Sequence, residues 1–272
     1  MKLLHALIGK LPHKYAIDAA RLGDERTLAW SNLGYWKNTT DYKNACCQLA
    51  DQLAKAVQLT ATDRLLDLGC GQGASLQHWI ENYHVQNISA VEIQANHIQL
   101  IQQKLPQLQH IQRGSFLDLN QFYFRQLFDV ILCIDAAYHS DLNLFLNAVQ
   151  PILNGQGRLG FHYLVLSEKW QQLSVLQKQK YNYLLKAADV DLHQLDSLQM
   201  TRQQLEQHGF RQIEIVDLTE FVLGGFAGFI TSNKSKKNRD LAQLKIQTTA
   251  KLCDYLNKEG VVRYMQISAV KN

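Results

Sequence analysis

Three acids and one run of glycines mark out the chemistry open to this sequence. Asp67 is followed by Gly69, Gly71 and Gly73 at alternate positions, Glu92 stands 25 residues after Asp67, and a third acid opens Asp135-Ala-Ala-Tyr138-His139. Alternating glycines let the chain turn sharply and let a ligand come close to the backbone. Gly69-x-Gly71-x-x-Ala74 also satisfies the loose dinucleotide fingerprint. Asp67 argues against a dinucleotide, because a carboxylate beside the helix start repels a pyrophosphate and attracts a cation. Glu92 stands where nucleoside-binding α/β folds place an acid for the ribose hydroxyls, and a carboxylate accepts both hydrogen bonds of a diol. His139 is an imidazole able to take a proton near neutral pH; a bond to its own loop at the start of a helix is the competing reading.

The elements that position these groups follow from the hydrophobic pattern. Leu65, Leu66 and Leu68 suit a buried strand, and from Ala74 the spacing of Leu76, Trp79, Ile80 and Tyr83 is helical. A helix capped at Thr40-Asp41 precedes that strand, with Ala45, Leu49 and Leu53 on one face. Strands are expected at 88–92, 108–111 and 128–134, each after the first followed by a ligand-facing turn. Ser140 is the expected cap of the next helix. The run 153–159 reads as a turn into a fifth strand, and further strands are expected at 210–218 and 262–270. Residues 167–200 have helix-forming composition, and 219–260 are read as mainly helical. The division is a single domain over 1–272: an N-terminal cap and helix (1–60), a cofactor-binding core (61–166), a substrate lid (167–200) and a C-terminal remainder (201–272).

Composition narrows the class. The 272 residues are 46% hydrophobic and 19% charged, as in an ordinary globular chain, and a net charge of +4 does not imply nucleic acid. Five cysteines without a C-x-x-C pair read as small buried residues of a reducing compartment. Met1–Lys10 has an apolar run broken by His5 and no cleavage pattern, and no stretch approaches the ~18 apolar residues of a spanning helix. A cytoplasmic protein without stable membrane insertion is expected. The basic stretch Lys234–Arg239 reads as a solvated loop.

With these elements in place, Asp67-x-Gly69-x-Gly71-x-Gly73 resembles the first motif of the class I S-adenosylmethionine-dependent methyltransferases. Leu33-Gly-Tyr-Trp36 and Asp135-x-Ala-Tyr-His139 are similar to segments of the small-molecule branch, such as the quinone, tocopherol and sugar methyltransferases. Leu153–Leu159 resembles the family's Leu-Lys-Pro-Gly-Gly-Arg-Leu without the proline. The resemblance implies a Rossmann-like, seven-stranded, mostly parallel sheet with flanking helices, an N-terminal helical extension and a helical insertion after the fifth strand. It implies methyl transfer from S-adenosyl-L-methionine to a small-molecule O, N or C nucleophile. The aromatic content of 167–230, including Tyr181, Tyr183, Phe221, Phe226 and Phe229, favours an apolar or aromatic acceptor, with packing in the core as the competing reading. The resemblance assigns Tyr35, Asp67, Gly69, Cys70, Gly71, Gly73, Glu92, Ile93, Ser115, Phe116 and Asp135 to the cofactor, and His139 and Tyr138 to catalysis. Where the family commonly has Gly-Asp for the adenine amino group, this chain has Gly114-Ser115, so Ser115, the backbone of Phe116 or Asp118 stands open for that role. Neither an Asn/Asp-Pro-Pro-Tyr motif nor the paired-glutamate loop of protein arginine enzymes is present, which disfavours nucleic-acid and protein acceptors. The rivals are a non-catalytic S-adenosylmethionine-binding module and a dinucleotide-dependent oxidoreductase.

Overall fold

The computed structural model describes residues 17–108, 110–233 and 240–272, so the readings of Met1–Lys10 and Lys234–Arg239 lie outside the described residues. Helix α1 (Tyr42–Ala56) leads into β1 (Arg64–Leu68), α2 (Ala74–Asn82), β2 (Asn87–Glu92), α3 (Ala95–Lys104) and β3 (His110–Arg113). Then come β4 (Phe128–Cys133), α4 (Leu142–Val149), β5 (Leu153–Leu166), α5 (Val175–Ala187) and α6 (Leu198–Gln207). The chain closes with β6 (Phe210–Asp217), a π-helical turn Glu220–Gly224 running into α7 (Gly225–Ser232), α8 (Leu241–Glu259) and β7 (Val262–Lys271). The seven strands form one sheet in the order β3-β2-β1-β4-β5-β7-β6. The pairs among the first five are parallel, and β7 runs antiparallel to both β5 and β6.

Burial follows the expected logic. Central β1 and β4 are mostly apolar and buried on both faces because helices cover both, whereas edge strand β3 has Ile111 as its one apolar residue and is only partly buried. Strand order reverses between β1 and β4, so the loops after them diverge and leave a crevice at the carboxyl edge.

Several boundaries moved. The third strand begins at His110, not Leu108, because the Leu108 amide closes a turn on the Leu105 carbonyl and pairing with Ser89 starts at His110. The cap of α4 is Asp141, whose carboxylate accepts from the Leu144 amide at 3.0 Å; the Ser140 hydroxyl turns back to the Ala137 carbonyl. The turn expected at 153–159 is absorbed into β5 as a bulge, the register to β4 jumping from Phe128–Leu153 to Val130–Arg158.

Away from the crevice, α1 and α2 are tied by one polar cluster. His78 Nε2 meets Asp51 Oδ1 at 2.7 Å, and the Tyr83 hydroxyl donates to the same oxygen at 2.9 Å. His78 is buried, which opposes its charge, yet the bond to Asp51 prevails and raises its pKa to about 9. A folded-state pKa above the unfolded value gives stability that is complete below about pH 6.5 and lost as pH rises through 9. Wild-type protein is therefore expected to lose about 2 kcal/mol of stability between pH 6 and pH 10 through this pair, the partly exposed Asp51 reducing the full linkage value. Denaturant titrations at both pH values check this: the loss should disappear in His78→Asn, and an equal loss in that variant would refute the assignment.

Candidate active site

At the carboxyl ends of β1, β2 and β4 lies a cavity of about 760 Å³. Its polar half is walled by Gly69 and Gly71, by Ser31 and Asn32 from the loop before α1, by Glu92 and His97, and by Ser115, Asp135, Tyr138 and His139. Its apolar half is walled by Leu185 and Val190 after β5, by Leu223 of the π-turn, and by one face of α8 including Leu244, Leu252 and Leu256.

The glycine run divides into two jobs. Gly71 has φ +56° and its amide donates to Glu92 Oε2 at 2.9 Å, so the loop after β1 is tied to the end of β2; a Cβ at this position would stand 3.2 Å from Ser31 Oγ. Gly73 has φ +92°, but a Cβ there would strike Ile101 Cγ1 at 2.7 Å. Its freedom serves the packing of α2 on α3, and it does not line the cavity. Glu92 is buried, with Oε1 accepting from the Gln94 amide at 2.9 Å. His97 Nδ1 lies 3.7 Å from that same oxygen, buried and without a hydrogen bond.

Asp135 is the joint of the other wall. It sits at φ +53°, a conformation that Asp tolerates better than most residues and that is frequent at functional turns. Its Oδ2 accepts from the Leu33 amide at 2.9 Å, and its Oδ1 accepts from the hydroxyls of Tyr138 and Tyr264, each at 2.8 Å. Burial raises its pKa to about 6, against the pull of these donors. The His139 ring closes the far side. Its Nδ1 lies 3.0 Å from the Asp189 carbonyl, which can only accept, so Nδ1 carries the proton and Nε2 is the basic nitrogen of the neutral ring.

Of the residues expected at the cofactor, Gly69, Gly71, Glu92, Ile93, Ser115, Phe116 and Asp135 line the cavity, as do Tyr138 and His139. Asp67, Cys70, Gly73 and Tyr35 do not. Asp67 is 1% exposed and accepts from Trp79 Nε1 at 2.8 Å; burial raises its pKa to about 6. The acids that line the cavity are Glu92 and Asp135. Tyr35 packs against Phe221 at 5.3 Å and Trp36 stacks on Phe229 at 4.4 Å, so Ser31, Asn32 and Leu33 present the segment to the cavity in their place. Cys70 is buried behind the loop. The aromatics at 181, 183, 221, 226 and 229 are absent from the wall; Phe226 is core and Tyr183 faces solvent.

Sequence reasoning missed Asn32, His97, Tyr264 and the α8 face. His97 stands five residues after Glu92, early enough in α3 to face back to the strand end, and the α8 residues recur at helical spacing. Both signals were readable. Tyr264 had none, since its partner is 129 positions away.

Comparison with known proteins fits this geometry. Residues 21–221 match the family described as mycolic acid cyclopropane synthetase. Erythromycin 3''-O-methyltransferase of Saccharopolyspora erythraea is 30% identical over 118 residues, 41% of this chain and 38% of that protein. Glycine/sarcosine/dimethylglycine N-methyltransferase of Actinopolyspora halophila is 27% identical over 203 residues, 73% of this chain and 34% of that protein. The chain thus spans about a third of the length of these curated relatives. Among solved structures, the cyclopropane synthase MmaA2 of Mycobacterium tuberculosis superposes with a TM-score of 0.72 at 18% identity, covering 96% of this chain and 95% of that one. Geranyl diphosphate C-methyltransferase of Streptomyces coelicolor A3(2), solved with S-adenosyl-L-homocysteine, gives 0.71 at 15% identity, covering 93% and 92%. These likenesses establish the Rossmann-like fold.

Proposed function

The chain belongs to the mycolic acid cyclopropane synthetase family, and from that premise we propose that it transfers a methyl group from S-adenosyl-L-methionine to an O, N or C nucleophile of a small molecule. One observation carries the reading. The glycine loop opens onto a half-cavity bearing two carboxylates, Glu92 and Asp135, and no lysine or arginine among its described residues. Such a wall suits a ligand with ammonium and sulfonium groups and opposes a pyrophosphate. It therefore disfavours the dinucleotide reading for the reason first given to Asp67, now transferred to acids that reach the cavity. The described helices include none long and apolar enough to cross a membrane.

In this reading the backbone at Gly69 and Gly71 holds the methionine end, Glu92 receives the ribose hydroxyls, and Ile93, Ser115 and Phe116 flank the adenine. Asp135 fixes the loop carrying Asn32 and Leu33 over the site. When bound, the cofactor supplies a methyl already activated by its sulfonium. The protein's task is then to orient the acceptor, exclude water and take a proton where the nucleophile carries one. The apolar wall performs the first two tasks. His139, held in one tautomer by Asp189, performs the third through Nε2. Residues 167–200 act as the lid: they supply Leu185 and Val190 to the wall and are anchored to the site through His139.

Three measurements test this. Glu92→Ala should weaken S-adenosylhomocysteine binding by about 1–3 kcal/mol, the scale of hydrogen bonds to a charged group, and wild-type protein should be stabilised by that ligand but not by NAD. Protection by NAD alone would sink the assignment. With an acceptor found by screening for S-adenosylhomocysteine release, His139→Ala should lower turnover about 100-fold and remove the acidic limb of the pH–rate profile, while cofactor affinity stays within about twofold; near-normal turnover would reduce His139 to a scaffold residue. Hydrogen exchange across 167–200 should slow when S-adenosylhomocysteine and acceptor are both bound, and equal protection in the free and loaded states would count against a lid.

A further inference from the structure

Helix α5 has two apolar faces. Tyr181 and Leu185 turn inward and are 2% and 1% exposed. That face alone accounts for how the helix is held to the domain. Val175, Leu176 and Tyr183 stay open to water, at 72%, 78% and 79% exposure. Leu176 and Tyr183 share one side of the helix, two turns apart. Lys180 lies between them, a turn after Leu176 and a turn before Tyr183, and Lys186 stands one turn beyond Tyr183. Both lysines are exposed. The Lys180 ammonium lies 4.3 Å from the centroid of the Tyr255 ring on α8, which fixes that charge at the flank of the ridge. Lys178 adds a third positive charge, and the helix contains no Asp or Glu. An exposed apolar ridge rimmed by charge of one sign marks an interaction surface.

We propose that this outer face of α5 docks on an anionic lipid surface, with the helix lying in the plane of the interface. Leu176 and Tyr183 enter the headgroup region, and Lys180 and Lys186 meet the lipid phosphates. Charge and shape select this partner. A second copy of the chain would bring the same lysines against these, because a two-fold contact sets a patch against itself. The ridge is the convex side of a single helix, which a soft interface accepts without a groove cut to fit it. Lysine suits the rim, since its stem covers apolar surface while its ammonium reaches outward. Tyrosine suits the ridge, since an apolar ring enters while the hydroxyl stays wet. Each lysine at an anionic surface strengthens binding about fivefold, and the leucine and tyrosine supply the part that salt does not screen. No described helix could span a bilayer, so the contact is a reversible one on the surface. Neither Leu176, Lys180 nor Tyr183 lines the cavity, and the inference does not depend on the methyl-transfer reading.

The test is co-sedimentation of the full chain with two kinds of vesicle, phosphatidylcholine alone and phosphatidylcholine mixed with phosphatidylglycerol. The chain is expected to bind the mixed vesicles at least about tenfold more tightly than the neutral ones, and high salt should erase most of that difference. Lys180→Gln with Lys186→Gln should weaken binding to the mixed vesicles about 25-fold. Leu176→Ser with Tyr183→Ser should weaken it about tenfold at either salt. Lys43→Gln with Lys55→Gln removes the same charge from exposed positions on α1 and should leave binding within about twofold. Unchanged thermal midpoints report that the variants are folded; if the serine pair lowers its midpoint, the lysine pair decides. Equal partition onto neutral and anionic vesicles, or an equal loss from the α1 pair, would overturn the proposal. So would a chain that stays in the supernatant with both vesicles, whether it is monomeric or forms a dimer that Leu176→Ser with Tyr183→Ser abolishes; the dimer would assign the face to a second copy.

Discussion

The carboxylate of Asp135 is the constraint on which the site depends. It accepts from the Leu33 amide, from the Tyr138 hydroxyl in its own turn and from the Tyr264 hydroxyl on β7. One side chain thus fixes the loop that roofs the glycine run, the turn that carries His139, and the antiparallel strand behind them. Its own amide donates to His162 Nδ1 at 3.2 Å, so β5 is held to the same point. A carboxylate is suited to this because its two oxygens offer about four acceptor positions. The cost is desolvation, visible in the upward shift of its pKa, and the hydroxyl and amide donors offset that cost in part.

Around that joint the cavity is electrostatically asymmetric. The half enclosed by the parallel strand ends carries acids, while the half enclosed by later insertions is leucine-rich with one lysine. The division follows the fold. Strand carboxyl ends with tight turns bring short polar side chains and backbone amides to the cavity, whereas α8 and the segment after β5 present whole helical faces. A small polar ligand and a larger apolar one can therefore be recognised by different parts of the chain, and changes in the insertions can alter one without disturbing the other.

The same division explains what was legible in the sequence. The glycine loop, Glu92 and the Asp135–His139 run could be placed because each is local and ends an apolar strand. Asp67 was legible as part of the motif but not in its direction: its bond to Trp79 spans strand and helix, and a buried indole N–H takes the carboxylate away from the ligand side. Tyr35 and Trp36 failed for a related reason. Their rings find Phe221 and Phe229, residues nearly two hundred positions later, and no local pattern announces that meeting. Gly73 shows that one regular spacing can serve two ends, since Gly71 faces the cavity while Gly73 makes room for Ile101.

The position of β7 in the sheet has a consequence for how the protein comes into being. β7 lies between β5 and β6, so β6 is made before the strand it pairs with exists. Tyr264 likewise reaches Asp135 from 129 positions downstream. During synthesis from the N-terminus, strands β1 to β5 can assemble in order, but the joint at Asp135 lacks one of its three donors until the last strand has left the ribosome. A nascent chain can therefore carry a formed glycine loop beside an unfinished cavity, and the last strand that completes the sheet also brings the last donor to Asp135.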